Sequence, residues 1–105
     1  MRSRLSVLQG RAIRRALRVE DYLQLHFELG AGLNIFNVVS LTGPVAEDLD
    51  AIQGKRLSSA EESDDKAILR FEDGSVVEID LREEAFNGPE AMELRIPGEP
   101  IVVWN

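Results

Sequence analysis

The feature that most constrains this chain is an internal repeat at an offset of 44 residues. Without gaps, "LQGRAIRRALRVEDYLQLHFELGAGLNIFN" (8–37) aligns with "IQGKRLSSAEESDDKAILRFEDGSVVEIDL" (52–81), and nine of thirty positions are identical. Two unrelated segments would share about two identities, so we look for a repeated unit before any other architecture. The identical pairs are Gln9/Gln53, Gly10/Gly54, Ala16/Ala60, Asp21/Asp65, Leu25/Leu69, Phe27/Phe71, Glu28/Glu72, Gly30/Gly74 and Ile35/Ile79. The sequence therefore predicts that one supersecondary unit is built twice.

Both copies show the alternation of apolar and polar residues that is typical of half-buried strands, as in "YLQLHFEL" and "KAILRFE". Asp73-Gly74 separates two alternating runs and predicts a hairpin with a type I′ turn, because glycine accepts the positive φ of that turn. Third strands are predicted near 33–39 and at 76–81. Each copy is thus predicted to be a three-stranded meander.

The first strand of each copy has two interpretations. Residues 3–18 also fit an amphipathic helix with one apolar stripe and arginines around it. The counterpart "GKRLSSAEES" does not fit, because its serines favour non-helical backbone. If the repeat is real both segments should be strands, which is the prediction we make, with a helix at 3–18 as the alternative.

The segments outside the repeat complete the predicted domain. Pro44 suits the first residue of a helix and acidic residues follow it, which predicts a short helix or turn at 44–51. "AMELRIPGEPIVVWN" predicts a last hairpin. We predict an all-β single domain over 1–105, with repeats at about 8–37 and 52–81, a linker at 40–51 and a C-terminal hairpin at 91–104. Two meanders and a hairpin would form a small sandwich or a partly open barrel.

Composition restricts the chemistry and the location. The 105 residues include no cysteine, which excludes disulfides, thiolate catalysis and cysteine-ligated metals. The apolar run near the N-terminus is "LSVL", whereas a signal peptide needs about 7–15 apolar residues. No window approaches the roughly 20 apolar residues of a membrane span. We therefore expect a cytoplasmic protein.

Charge is distributed unevenly along the chain. Residues 1–19 hold six arginines and no acid, whereas residues 20–105 hold six basic residues and nineteen acidic ones, a net of −13. A body of this charge repels phosphate backbones, so we expect no nucleic acid as a partner. A basic protein, or the basic arm of a second copy, is the expected kind of partner.

The search for chemistry finds no site. His26 is the lone histidine, lies on the polar side of its strand and has no cysteine or second histidine to share a metal with. The P-loop, the G-x-S-x-G motif and the dinucleotide-binding G-x-G-x-x-G motif do not occur. We predict no catalytic, cofactor-binding or metal-binding residue, and no cofactor.

Five residues are the candidates for partner binding. Four of them form an acidic run that a hairpin turn should project outward, and the fifth is an aromatic residue out of phase with the core. They are Glu61, Glu62, Asp64, Asp65 and Phe36. Phe36 shares its side of the strand with Asn34, so it is either exposed or covered by something outside the meander.

Taken together, "LHFELGAGLNIFN", "LRFEDGSVVEIDLREEAFNGPEAM" and the terminal "IVVW" resemble small uncharacterised bacterial β-domain proteins of unknown function. Short acidic β proteins of this kind are also similar, more loosely, to immunity proteins that neutralise bacterial toxins. We therefore expect a non-enzymatic protein-binding module, with the immunity type as its narrowest form. The alternatives are a structural homo-oligomer, and an enzymatic or small-ligand-binding domain with a site between the meanders.

Overall fold

The computed structural model describes residues 3–105, and within that range the chain consists mainly of short strands. The strands are β1 (Ile13–Val19), β2 (Tyr22–Phe27), β3 (Gly32–Ile35), β4 (Val39–Thr42), β5 (Leu57–Glu62), β6 (Lys66–Phe71), β7 (Val76–Asp80), β8 (Met92–Arg95) and β9 (Val102–Trp104). The helical segments are α1 (Pro44–Glu47) and the 3₁₀ turns Arg4–Leu8, Glu28–Gly30, Leu49–Ile52 and Glu83–Ala85. None of the helices in residues 3–105 is long and apolar enough to cross a membrane.

The strands form two antiparallel sheets that enclose the core as a small sandwich. Sheet A has the order β1-β2-β3-β8-β9, and sheet B has the order β4-β7-β6-β5. The two sheets remain separate, so the molecule is a sandwich and not a closed barrel. The prediction of an all-β fold with a duplicated meander and a C-terminal hairpin is confirmed, and the hairpin is the pair β8–β9.

The two copies of the repeat have the same strand order and the same register. Ile13 pairs with Phe27 and Leu57 with Phe71, and a β-bulge follows each of these pairs at the same offset. The strand interpretation of both first segments is therefore confirmed, and the helical alternative applies only to the 3₁₀ turn Arg4–Leu8. That turn has its own counterpart 44 positions later in the turn Leu49–Ile52, so the duplication extends beyond the segments that sequence identity reveals.

The fourth strand that follows each meander crosses to the opposite sheet. After the first meander β4 pairs with β7, and after the second meander β8 pairs with β3. The single strand predicted near 33–39 is therefore wrong: β3 ends at Ile35 and the chain leaves sheet A before β4 begins. The backbone amides of Phe36 and Asn37 both donate to the carbonyl of Ala91. The side-chain amide of the buried Asn37 donates to the carbonyl of Asp80. These bonds hold the crossing between the two sheets.

Reciprocal backbone hydrogen bonds join the two copies. The amide of Gly10 donates to the carbonyl of Leu57 at 2.8 Å, and 44 residues later the amide of Gly54 donates to the carbonyl of Ile13 at 2.7 Å. The amides of Leu57 and Ile13 return bonds of the same kind, to the carbonyls of Arg11 and Lys55. A segment that bonds its own repeat in this mutual way indicates a pseudo-twofold axis between the copies. Each copy thus completes the sheet of the other, and the hydrogen-bonded segments 10–13 and 54–57 form the joint between the copies.

The turn predicted at Asp73-Gly74 has a different geometry from the expected type I′. Only Gly74 has a positive φ, +88°, whereas a type I′ turn needs positive φ at both central residues. The Asp73 carboxylate accepts bonds from the Ser75 amide (2.9 Å) and hydroxyl (3.1 Å), which keeps Asp73 in the ordinary region. The loop is a three-residue hairpin in which the glycine alone takes the left-handed position. The matching loop of the first copy places both Leu29 (φ +65°) and Gly30 (φ +76°) there.

The core lies between the sheets and draws equally on both copies. Leu25, Phe27, Leu69 and Phe71, which are identical pairs of the repeat, are all buried. The two 3₁₀ turns that precede the meanders cover the core with buried Leu5, Leu8 and Ile52. Each meander has one apolar face, and the opposite copy supplies the surface that covers it.

Candidate partner-binding surface

Glu61, Glu62, Asp64 and Asp65, which we call the acidic turn, lie at the end of β5 and in the loop that leads to β6. Asp64 and Asp65 are exposed, and within residues 3–105 neither forms an ion pair. Glu61 lies 3.8 Å from Arg70 in a solvent-exposed ion pair, a kind that contributes little to stability. Three of the four acidic candidates are therefore at the surface and available to a partner.

Glu62 has a different environment from the rest of the acidic turn. One carboxylate oxygen accepts a 2.7 Å hydrogen bond from the indole Nε1 of Trp104, and the other accepts a 2.8 Å bond from the hydroxyl of Ser3. The Arg4 guanidinium lies 3.9 Å from the same carboxylate and 4.4 Å above the Trp104 ring. Sequence reasoning missed this cluster because its members are far apart in the chain and carry no motif. Glu62 acts first as an internal link between strands.

The acidic body is not neutralised by its own basic residues. Five of the six basic residues after position 20 form ion pairs within the chain, namely Arg56, Lys66, Arg70, Arg82 and Arg95. Six of the nineteen carboxylates are paired, which leaves thirteen without a basic partner in residues 3–105. The unpaired ones are Glu20, Asp21, Glu47, Asp48, Asp50, Asp64, Asp65, Glu72, Asp73, Glu83, Glu84, Glu90 and Glu99. Five basic residues of the described chain also have no ion pair, namely Arg11, Arg14, Arg15, Arg18 and Lys55, so residues 3–105 leave more carboxylates than bases unpaired.

Two of the paired carboxylates, Asp80 and Glu93, have lowered pKa values whose causes are contacts within the chain. Side-chain and backbone hydrogen bonds from Arg82 lower the pKa of Asp80 to about 2, and the same contact raises the pKa of Arg82 above its usual range. A hydrogen bond from Arg95 lowers the pKa of Glu93, with a smaller contribution from Asn34. Each of these carboxylates has its charge balanced within the chain. They are structural ion pairs and not binding groups.

Glu28 is a third carboxylate of this kind, and it lies at the joint between the copies. It accepts a 2.8 Å bond from the amide of Ala12, which is the largest cause of its lowered pKa, and a 3.0 Å bond from Arg56. Arg56 also donates to the carbonyl of Gly10 at 2.7 Å. This pair therefore connects the first copy to the second and is not part of a partner-binding surface.

Phe36 is half-buried and lies against Tyr22, with ring centroids 5.2 Å apart and ring planes at 49°. The two rings form one side of an open cavity of about 320 Å³ beside the turn between β1 and β2. We call it the aromatic cavity; its lining residues are Asp21, Tyr22, Phe36, Asn87, Gly88, Pro89 and Glu90. The Asn87 side chain donates to the carbonyl of Phe36 at 2.9 Å and holds the loop 87–90 over the end of β3. Residues outside the meander thus cover part of Phe36, which is one of the two outcomes predicted from its position in the strand.

The outer faces of the two sheets occupy equivalent positions and have diverged in chemistry. On sheet B, Lys66 lies 3.3 Å from Glu78 and Arg70 lies 3.8 Å from Glu61, so the face is covered by its own ion pairs. At the offset of 44, the corresponding positions on sheet A are Tyr22 with Asn34 and His26 with Leu17. The central face of sheet A lacks these ion pairs and presents aromatic and amide groups instead.

His26 lies on that face and is exposed, as predicted, with its Nε2 3.3 Å from the side-chain oxygen of Gln24. It borders a cavity of about 460 Å³ that Arg14 and Arg15 also line. Residues 3–105 contain no group of three or more histidine, aspartate or glutamate side chains placed to hold a metal ion.

No protein-family model, no curated protein and no solved structure matched the chain. The resemblance to small bacterial β-domain proteins, and the looser similarity to immunity proteins, remain expectations from the sequence. Function is therefore inferred below from the geometry and charge of this molecule alone.

Proposed function

We propose that the chain is a non-enzymatic protein-binding module that binds a basic partner through its acidic surface in the cytoplasm. The observation that supports this is the charge imbalance within the structure: thirteen carboxylates have no base in residues 3–105, and five of the six bases beyond position 20 are already paired. A partner supplies the missing cations.

The electrostatics give such binding two advantages. Like charges that remain unpaired repel one another and destabilise the isolated fold, so a basic partner relieves that repulsion. Complementary charge also steers the encounter and raises the association rate. Surface charge for solubility alone would require neither advantage, and this is the difference that the experiment below measures.

The acidic turn is the proposed point of contact. Asp64 and Asp65 are exposed and unpaired, and Glu61 gives up only a weak surface pair when a partner approaches. Glu62 lies next to the proposed contact, and the hydrogen bond that its carboxylate accepts from Trp104 fixes the end of β5. Phe36 supplies an apolar anchor in the aromatic cavity, since aromatic residues carry much of the binding energy at protein interfaces.

The immunity type is the narrowest form of this proposal. In that form the partner is a basic toxin, and a toxin gene next to the gene for this chain is the expected context. The broader form requires only a folded basic protein.

A structural homo-oligomer is the second candidate, because one specific feature favours it. Arg14, Arg15 and Arg18 are exposed on β1, which is an edge strand of sheet A, and within residues 3–105 none of them forms an ion pair. An edge strand with free arginines can contact the acidic turn of a second copy. Replacing these three arginines with glutamine should then abolish self-association.

The experiment is affinity capture from a native cell extract, followed by mass spectrometry. Three baits are compared: the wild type, the variant Asp64→Lys/Asp65→Lys, and the control Glu47→Lys/Glu99→Lys. The control changes the net charge by the same amount at two exposed, unpaired positions away from the acidic turn. Both variants should fold, since at Asp65 the contacts within the chain involve the backbone.

We expect the wild type and the control to retain the same basic protein, and the acidic-turn variant to lose it. The retained fraction should fall as salt rises from about 50 to about 500 mM, because screening weakens contacts between exposed charges. A partner that binds all three baits equally across this salt range would contradict the proposal. Recovery of the chain alone, as a salt-sensitive oligomer, would favour the second candidate.

A further inference from the structure

We propose that the aromatic cavity binds the guanidinium group of an arginine side chain from a protein partner. This inference rests on the proposed function and specifies one anchor of the contact. The aromatic cavity combines two neighbouring rings with carboxylates and has no basic residue in its lining, whereas the three cavities lined by residues of the acidic turn each include an arginine or a lysine. Both properties bear on which cation the aromatic cavity binds.

The walls are suited to a flat cation. The planes of the Tyr22 and Phe36 rings meet at 49° with centroids 5.2 Å apart, and both residues line an open volume of about 320 Å³. Guanidinium groups stack on aromatic faces, and they are less strongly hydrated than ammonium groups, so they lose less on entering an aromatic pocket. The volume is at the lower end of the range of small-molecule sites, roughly 300–1,000 Å³, and is open to solvent on one side.

The charge of the cavity matches a cation. Asp21 and Glu90 line it, and neither forms an ion pair within residues 3–105. All seven lining residues are acidic, aromatic or uncharged, so the walls contain no base to compete with a ligand. A carboxylate can accept two parallel hydrogen bonds from guanidinium, which an ammonium group cannot offer in that geometry. Rings for stacking and carboxylates at the rim favour arginine.

The equivalent cavity of the second copy contains a cation from the chain itself, Arg82. A cavity of about 390 Å³ uses the equivalent positions Asp65, Lys66 and Asp80, where the first copy has Asp21, Tyr22 and Phe36. There Arg82 donates to both carboxylate oxygens of Asp80, and its closest approach is 2.7 Å. Position 82 corresponds to Val38 at the same offset, and Val38 is exposed.

The first copy therefore has an acidic residue, Asp21, at the equivalent of Asp65, and Val38 where the second copy has Arg82. Tyr22 and Phe36 stand where the second copy has the charged residues Lys66 and Asp80. The cavity of the second copy thus contains its own arginine, paired with Asp80, whereas the cavity of the first copy is aromatic and acidic and has no base in its lining, which favours an arginine from outside.

The test is an NMR titration of ¹⁵N-labelled protein with N-acetyl-arginine N-methylamide. We expect amide shifts to change at 21–22, 36, 87–88 and 90, around the aromatic cavity. The matched neutral ligand is the citrulline derivative, which has the same shape without the charge, and the lysine derivative is the matched ammonium. We expect no saturable change with citrulline and affinity for lysine lower by about threefold or more, because only arginine can both stack and bind in bidentate geometry.

Variants separate the cavity from general charge. Phe36→Ala and Asp21→Asn should each lower affinity for the arginine derivative by roughly threefold to tenfold. The control variants are Lys66→Ala and Asp80→Asn at equivalent positions of the second copy, and they should leave affinity at the first copy unchanged. Thermal unfolding of each variant confirms that it is folded at the titration temperature.

Equal binding by Phe36→Ala and the wild type, or shifts spread over the whole acidic surface, would overturn the inference. Equal affinity for the lysine derivative would overturn the assignment to guanidinium. The titration does not depend on the capture experiment. A captured basic partner that binds Phe36→Ala as well as the wild type would leave the proposed function standing and the arginine anchor rejected, whereas capture that ignores the acidic turn rejects the proposed function itself.

Discussion

The carboxylate of Glu62 joins the end of β5 in sheet B to Trp104 of β9 at the edge of sheet A, through a 2.7 Å hydrogen bond from the indole. The second oxygen holds the start of the chain through the hydroxyl of Ser3. Trp104 is 6% exposed, so its ring nitrogen has little access to water. An acidic residue that sequence reasoning assigned to a partner is therefore also part of the link between the two sheets.

Glu62→Ala should destabilise the fold far more than Glu61→Ala, although the two residues are adjacent and equally charged. Removing the Glu62 carboxylate leaves the buried indole N–H without its acceptor, which costs about 1–3 kcal/mol of unfolding free energy. Glu61 forms an exposed pair with Arg70, and its loss should cost under about 0.5 kcal/mol. Urea unfolding of both variants measures the difference, and equal losses would show that the Trp104 bond adds nothing.

Gly43→Ala and Gly54→Ala form a matched pair, because both glycines have positive φ, +80° and +84°. A Cβ at Gly54 meets nothing within 4 Å, whereas a Cβ at Gly43 would lie 2.6 Å from the carbonyl oxygen of Gly74. We expect a loss of about 1 kcal/mol at Gly54 from the backbone conformation alone. At Gly43 the contact with rigid backbone should bring the loss to roughly 3 kcal/mol or more. Equal midpoints in urea would mean that the backbone around Gly43 relaxes freely.

Much of the fold could be predicted because its signals are local. The alternation in "YLQLHF" and "KAILRF" indicates which side of each strand is buried, and the 44-residue offset relates the pattern of one copy to that of the other. The alternation is wrong at Leu29, which lies beyond the end of β2 and is 77% exposed. The hairpin β8–β9 follows from its turn residues in the same way. These features depend on neighbours a few residues away, which a sequence displays directly.

The crossing strands and the aromatic cavity could not be predicted because their partners are distant. β4 pairs with β7, more than thirty residues later, and nothing in "NVVSLT" indicates which sheet will accept it. The loop 87–90 covers Phe36 only because β8 returns to sheet A. The sequence repeat did contain a weak signal, because at the offset of 44 Phe36 aligns with Asp80 and Val38 aligns with Arg82. This signal can be interpreted only when the pairing of the strands is known.

The pKa of Asp80 should report directly on Arg82. NMR titration of the Asp80 carboxyl should give a midpoint of about 2 in the wild type, compared with an ordinary value of 3.8. In Arg82→Ala the midpoint should rise but remain below 3.8, because the amide of residue 82 still donates to the carboxylate at 3.0 Å. An unchanged midpoint in Arg82→Ala would show that the guanidinium does not contact Asp80.

The same shift fixes the direction of a stability change. Because the folded pKa lies below the unfolded one, the Asp80 contribution is present above pH 3.8 and is lost as pH falls toward 2. The unfolding free energy of Asp80→Asn should therefore decline less than that of the wild type over this interval. A steeper decline in the variant would reverse the assigned sign.

Leu29→Gly should stabilise the protein. Leu29 has φ +65° and is 77% exposed, so the substitution removes left-handed strain without losing a buried contact. The gain should be about 0.5 kcal/mol, since relieved strain of roughly 1–2 kcal/mol is offset by the greater freedom of glycine in the unfolded chain. Val38→Gly is the control: Val38 is also exposed but has no positive φ, so it should lose stability. A loss at both positions would mean that Leu29 is not strained.

The salt dependence of the unfolding free energy tests most directly the central claim, that the unpaired carboxylates repel one another in the isolated chain and that a cation which approaches them relieves this repulsion. Urea unfolding is measured from about 20 to about 500 mM sodium chloride, because screening at high salt removes repulsion between exposed charges. We predict that the unfolding free energy of the wild type rises with salt, and that the rise is smaller in Asp64→Lys/Asp65→Lys. A wild-type free energy that stays constant or falls as salt is added would contradict the account.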